Sequence, residues 1–457
     1  MEAHLTRCQG GLRSGHQHSH PVVPAHLQLV PTRRAPGPRA TPANAPVLSA
    51  SKAPSSLGQT PSSQGQDLAS FIQYDAAARS ANGGTRRYDA SDSMPLACDM
   101  LLVTSWEETS GDERQSLDEA DCISDFMPGG GVSPSAISQG FATSKGPMKA
   151  TMQDYFVAVS DALGALWSLS PLEWRAARAP AFAHHAGAPF CLTAVFDGHG
   201  SGDHAARTAQ ESVLAAVASD MELLDCFAHN MEVPGVGPEA LAALSTAFRR
   251  SFAELDARIC SEGEARGLPH DGTTALVSVQ VGPKLYTANA GDCRAVLCRD
   301  GRALRLSRDH KPELPEERQR IEEAGGRVAN VRGTWRVVLP LADGCTAKVC
   351  SVSRGFGDRD FKANALISPE PDVAALVLAP QRDTFAVHAS DGLWGAVGDQ
   401  EAVDMVSEVI DKFTGMTSFN TQHAAAAKAA AQELVKLARD RGSMDDITVV
   451  VTLYDWD

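Results

Sequence analysis

The chain has 457 residues, 43% of them hydrophobic, and a formal charge of −15, which allows a sizeable core in two or three average domains, or in one large domain with tails. The acidic balance excludes nucleic acid as the main partner, and no apolar run approaches the ~20 residues of a membrane-spanning helix. Ten cysteines without a C-x-x-C pair read as buried, reduced thiols and fit an intracellular, reducing compartment better than secretion.

Residues 1–66 carry one acidic residue, Glu2, against five arginines and one lysine, and are rich in Ser, Pro, Ala and Gly. Such a composition cannot offset chain entropy by burial, so a disordered low-complexity tail is expected. It also resembles an organelle transit peptide, but prolines are frequent and no amphipathic period is visible. An untargeted tail in cytoplasm or nucleus is the expectation, with a chloroplast or other organelle address as the alternative. Residues 67–140 form an acidic, poorly defined extension and linker, with a hinge at Pro128-Gly129-Gly130-Gly131. The main domain is expected over 141–457.

That domain opens with a strand-like YFVAV, then an Ala- and Trp-rich connection at about 162–188. The apolar run from Cys191 to Phe196 follows, short enough for a buried strand, and it ends abruptly in Asp197-Gly198-His199-Gly200. Helical spacing marks Asp203–Asp220 and Pro238–Glu262; in the second, Leu241, Leu244, Ala247, Phe248 and Phe252 share a face. The segments TTALVSVQV, KLYTANA, CRAVLCRDG and RALRLS are closely spaced strands. With no helices between them they imply antiparallel hairpins rather than a doubly wound parallel sheet. A helix, PEERQRIEEA, stops at Gly325-Gly326. The strand TFAVHAS then delivers Asp391-Gly392; two helices (about 399–412 and 422–439) precede the last strand, where Asp445-Asp446 lead into ITVVVTLY.

Three apolar strands therefore meet an aspartate at one end. In antiparallel sheets the end of one strand lies beside the start of its neighbour, so Asp197, Asp391 and Asp445 converge at one edge. Each alone is a common turn cap. Together they form the hard oxygen set that Mg²⁺ or Mn²⁺ requires. Two such ions roughly 3.5–4 Å apart can activate a bridging water and clamp a phosphoryl group. Gly198-x-Gly200-x-Gly202 lacks the Gly-Lys-Ser/Thr of a nucleotide-binding loop. Asp309-His310 reads as a structural turn, and Arg354 as a supporting ion pair.

Read in order, KATMQD, FDGHGSGDHAA, GTTA, ANAGDCRAVL, DHKP, ER-x-RIEEAGG-x-V, SRGFGD, SDGLWG and GSMDDIT resemble the metal-dependent Ser/Thr protein phosphatases of type 2C over residues 140–457. The resemblance implies an α+β fold: a central sandwich of two antiparallel β-sheets flanked by α-helices. It implies hydrolysis of phosphoserine and phosphothreonine in protein substrates by metal-activated water, without a covalent phosphoenzyme, in a chain expected to be a monomer. Asp197 would bridge two Mg²⁺ or Mn²⁺ ions, with the Gly198 carbonyl, Asp391 and Asp445 as further ligands. Asp154 would act through water, and Asp292 would belong to a weaker third site. His199 would be the general acid.

Three positions depart from the family pattern. Gln153 stands where a glutamate is usual, reducing it to a weak contact through water. Lys149 replaces the phosphate-gripping arginine, with a point charge instead of a fork. Gly395 replaces an aspartate near the third site. These departures motivate an alternative: a weakly active or silent relative serving as a regulatory binding module.

Overall fold

The computed structural model describes residues 101–102, 132–177, 189–200, 202–232, 235–268, 270–340, 347–414 and 419–456. The expected tail at 1–66, the hinge at 128–131 and nearly all of the 67–140 extension lie outside the described residues, as does the second part of the 162–188 connection.

Two sheets form the centre. The first aligns Asp372–Val377, Lys284–Ala290, Ala275–Val281, Phe190–Phe196 and Tyr155–Val159, all antiparallel, with Leu101–Leu102 added in parallel beside Asp372–Val377. The second runs Arg302–Arg305, Arg294–Arg299, Asp383–Ala389, Ile447–Asp455 and Ala136–Ser144, antiparallel throughout. The boundary expected near 140 falls inside this last strand, whose pairing runs from Ala136 opposite Asp455 to Ser144 opposite Ile447. Its mixed residues, AISQGFATS, carry no apolar alternation strong enough to mark it.

The strands are apolar on both sides because both sides are covered, and the period of two separates the layers. In Phe190–Phe196, Leu192, Ala194 and Phe196 pack under the helices His204–Ser219, Met221–Glu232 and Pro238–Arg266, whereas Val195 faces the other sheet. In Ile447–Asp455, Val449, Val451 and Leu453 meet the helices Asp399–Thr414 and Phe419–Asp440, whereas Val450 and Tyr454 face inward. The result is helices, sheet, sheet, helices: the expected sandwich. Each fully buried Val, Leu or Phe among them contributes about 1.5–3 kcal/mol. The seam between the sheets also holds paired polar groups. Gln139 Nε2 donates to Thr193 Oγ1 at 2.8 Å, and His388 Nε2 pairs with Ser278 Oγ at 2.9 Å.

Most expected elements appear within a few residues of their predicted ends. The helix Pro315–Glu323 closes as its glycines imply, with the Gly326 N–H on the Ile321 carbonyl at 2.9 Å and Gly325 at φ 85°. The sequence reading missed the helices Leu163–Leu169 and Met221–Glu232. It also missed a separate three-stranded sheet of Arg327–Val331, Thr334–Pro340 and Ala347–Cys350. This small sheet carries its own core around Ile321, Val328, Val337 and Cys350.

Candidate metal and catalytic centre

Asp197 is fixed at the end of its strand by its backbone. Its N–H donates to Thr274 Oγ1 at 3.0 Å, and its carbonyl accepts from Thr274 N at 3.0 Å and Thr273 Oγ1 at 3.1 Å. The chain then enters a two-residue strand, Gly198–His199, paired with Gly272–Thr273. The Gly198 N–H reaches the Gln153 carbonyl at 3.1 Å, and a Cβ at 198 would collide with that same oxygen. Glycine is therefore required by close approach of two backbones.

Asp197, Asp292 and Asp391 meet, and from both sheets rather than along one, whereas Asp445 lies outside this group of three. Asp391 and Asp445 flank neighbouring strands of the second sheet, and Asp197 ends a strand of the first. Asp292 lies in the short link from Lys284–Ala290 to Arg294–Arg299, where the chain passes between the sheets. One oxygen from each of Asp197, Asp292 and Asp391 lies within 4.8 Å of the others.

Crowding like charges in a buried place favours protonation. Burial, then the neighbouring Asp292 and Asp445, push Asp391 up to about 7. Burial and Asp446 push Asp154 up to about 7. Asp197 rises well above the usual carboxylate range through burial and the charges of Asp154, Asp391 and Asp445. Two ammonium groups offset part of this charge: Lys311 Nζ donates to Asp292 Oδ2 at 2.5 Å, and Lys149 pairs with Asp445 and lies 3.4 Å from Asp446. Asp154 Oδ2 accepts from Ser390 Oγ at 2.7 Å, whereas its Oδ1 is buried with no partner among the described residues. An all-oxygen acidic set with one orphaned buried oxygen fits a hard divalent cation.

The departures acquire definite positions. Gln153 directs its Nε2 onto the Gly202 carbonyl at 2.7 Å. Gly395 follows the short helix Asp391–Trp394, is exposed, and donates its N–H to the Asp391 carbonyl at 2.7 Å. The Asp445-Asp446 pair divides its work. Asp445 is 44% exposed at the side chain and Asp446 fully buried. Asp446 accepts from the Gly146 and Gln153 backbone N–H groups, each at 2.7 Å, and so fixes the segment that presents Lys149 and Asp154. Residue type alone does not separate the two aspartates.

His199 is one quarter exposed, and its Nε2 pairs with Asp358 Oδ2 at 2.7 Å. Burial alone pulls the imidazole down, but the Asp358 carboxylate outweighs it and holds the proton well above the ordinary histidine range. Asp358, the last residue of the SRGFGD motif, had no assigned role from sequence. Nor had Ser390 or Lys311. Asp309, His310 and Arg354 make structural ion pairs. Asp309 pairs with Arg294 at 2.6 Å and His310 with Asp372 at 3.0 Å, while Arg354 bridges Glu317 at 2.6 Å and Asp372 at 3.0 Å.

The family model described as protein phosphatase 2C matches residues 177–447. A probable protein phosphatase 2C 45 from Oryza sativa subsp. japonica is 32% identical, over 72% of this chain and 92% of its own length. A probable protein phosphatase 2C 59 from Arabidopsis thaliana is 35% identical, over 58% of this chain and 70% of its own. Among solved structures, a serine-threonine phosphatase 2C from Toxoplasma gondii superposes with a TM-score of 0.55 at 20% identity, covering 71% of this chain and 98% of that one.

Proposed function

Because the chain belongs to the protein phosphatase 2C family of metal-dependent Ser/Thr protein phosphatases, we propose that its carboxylate cluster is the centre that removes phosphate from phosphoserine and phosphothreonine in protein substrates. The observation that carries this reading is the meeting of Asp197, Asp292 and Asp391 within 4.8 Å, beside the orphaned Asp154 Oδ1. Asp197, Asp391 and Asp445, with the Gly198 carbonyl, would hold two Mg²⁺ or Mn²⁺ ions, Asp154 would act through water, and Asp292 would serve a weaker third ion. Ions of this kind supply a water of lowered pKa and neutralise the phosphoryl oxygens.

The chain's own groups do the rest. Lys149 presents a cation beside Asp445, where a phosphate oxygen can share it. Asp358, paired with Nε2, keeps the His199 imidazole protonated, so that the ring can neutralise the departing Ser or Thr alkoxide. Asp446, through the Gly146 and Gln153 N–H groups, holds the lead-in in register with both. No helix among the described residues is long and apolar enough to cross a membrane. No observation favours the silent binding module.

Purified protein is expected to release phosphate from a phosphothreonine peptide with Mn²⁺ and not with EDTA. Asp197→Ala should lower the rate at least about a hundredfold, more than loss of an outer-sphere partner does. A rate unchanged in that variant would refute the proposal.

A further inference from the structure

Among the described residues, two groups of three or more His, Cys, Asp or Glu bring their ligand atoms together. One is the carboxylate cluster; the other is His199, Cys350 and Asp358. Cys350 ends the strand Ala347–Cys350 and is 5% exposed; Asp358 precedes the short helix Arg359–Lys362, with its side chain 3% exposed. Cys350 Sγ lies 3.8 Å from His199 Nε2, which lies 2.7 Å from Asp358 Oδ2. Three elements distant in sequence thus present one sulfur, one nitrogen and one oxygen to a common point. The Gly272 backbone faces that point, and a Cβ there would overlap both Asp358 Oδ2 and His199 Nε2.

We propose that His199, Cys350 and Asp358 form a second metal site, selective for Zn²⁺-like ions, that switches the phosphatase off by occupying His199 Nε2. Thiolate and imidazole donors suit Zn²⁺, Co²⁺ or Cd²⁺ and disfavour Mg²⁺, whereas the all-oxygen cluster has the opposite preference. Tetrahedral zinc with ordinary bond lengths separates its ligand atoms by about 3.4–3.6 Å. The sulfur–nitrogen spacing already approaches this, and the His199–Asp358 bond has only to open by under about 1 Å. Binding releases two protons, one from Cys350 Sγ and one from His199 Nε2, and forms no new covalent bond within the chain. Water would complete the shell at the fourth position. Ion binding rests on these three side chains alone; the inhibition rests on the role of His199 proposed above.

The test uses the whole chain, with Mg²⁺ in excess to fill the carboxylate cluster, and Co²⁺ as probe. Wild type is expected to show a near-ultraviolet thiolate-to-cobalt absorption band, absent in Cys350→Ala and Cys350→Ser. Both variants should keep Mn²⁺-supported phosphatase activity, which also reports their folding. Their half-inhibitory Zn²⁺ concentration should rise at least about tenfold, since losing a direct ligand costs no less than losing an outer-sphere one. No band in wild type, a band persisting in both variants, or equal zinc inhibition of all three proteins would overturn the proposal. If wild type showed no phosphatase activity with Mn²⁺, the catalytic reading would fail while the cobalt band still decided the metal site.

Discussion

Lys149 Nζ lies 3.4 Å from the buried Asp446 Oδ2 and pairs directly with Asp445. Burial works against its charge, but Asp197, Asp445 and Asp446 together keep the ammonium protonated far above its ordinary range. The cation offered to a substrate phosphate is therefore already shared with carboxylates. An arginine fork can hold carboxylate and phosphate at once. Lys149→Arg is expected to lower KM about tenfold, equivalent to one modest charged hydrogen bond, with kcat little changed. Steady-state kinetics on a phosphothreonine peptide checks this.

Gln153 donates its side-chain amide to the Gly202 carbonyl at 2.7 Å. A carboxylate cannot donate there and would be repelled by that oxygen. Gln153→Glu should therefore turn toward the cation site, binding Mn²⁺ about tenfold more tightly by calorimetry, the scale of one outer-sphere partner. The metal-free protein should lose about 1 kcal/mol from the broken hydrogen bond. Unchanged affinity would put residue 153 out of reach of any ion.

Asp154 and Asp391 are each raised to about 7. A carboxyl whose folded pKa is raised contributes stability that is complete below its unfolded value of about 4 and fades as pH rises through 7. The metal-free protein should thus melt at a lower temperature at pH 8 than at pH 6, and Mn²⁺ should remove most of that difference. Asp391→Asn should raise the metal-free melting temperature at pH 8 and shrink the Mn²⁺-induced rise. Thermal melts in EDTA and in Mn²⁺ measure both.

His388 is buried between the sheets against Ser278, and burial pulls its pKa down to about 3. The unfolded chain takes up this proton near pH 6.5 and the folded chain does not. The stability is therefore present above 6.5 and is lost as pH falls toward 3, at up to about 1.4 kcal/mol per pH unit. Urea titrations of His388→Gln should show a shallower acid loss than wild type; parallel curves would contradict the assignment.

The sandwich was legible because its strands are short apolar runs separated by turn residues, and because Asp197, Asp391 and Asp445 each sit at one end of a run. The split between sheets was not, since pairing partners far apart in sequence leave no local mark. The strand Ala136–Ser144 was hidden by its mixed composition, AISQGFATS. The motif singled out Asp445, but the supporting role of Asp446 was hidden because it comes from burial and not from residue type. Cys350 reads from sequence as an ordinary core thiol. Its approach to His199 depends on the small sheet of Arg327–Val331, Thr334–Pro340 and Ala347–Cys350, whose position no periodicity announces.

The most direct measurement is anomalous diffraction at the manganese edge from crystals soaked in Mn²⁺. Two adjacent peaks are expected on either side of Asp197, with Asp391 and Asp445 completing the ligands and Asp154 reached through water. Manganese absent from Asp197, or bound only at surface carboxylates away from His199, would contradict it.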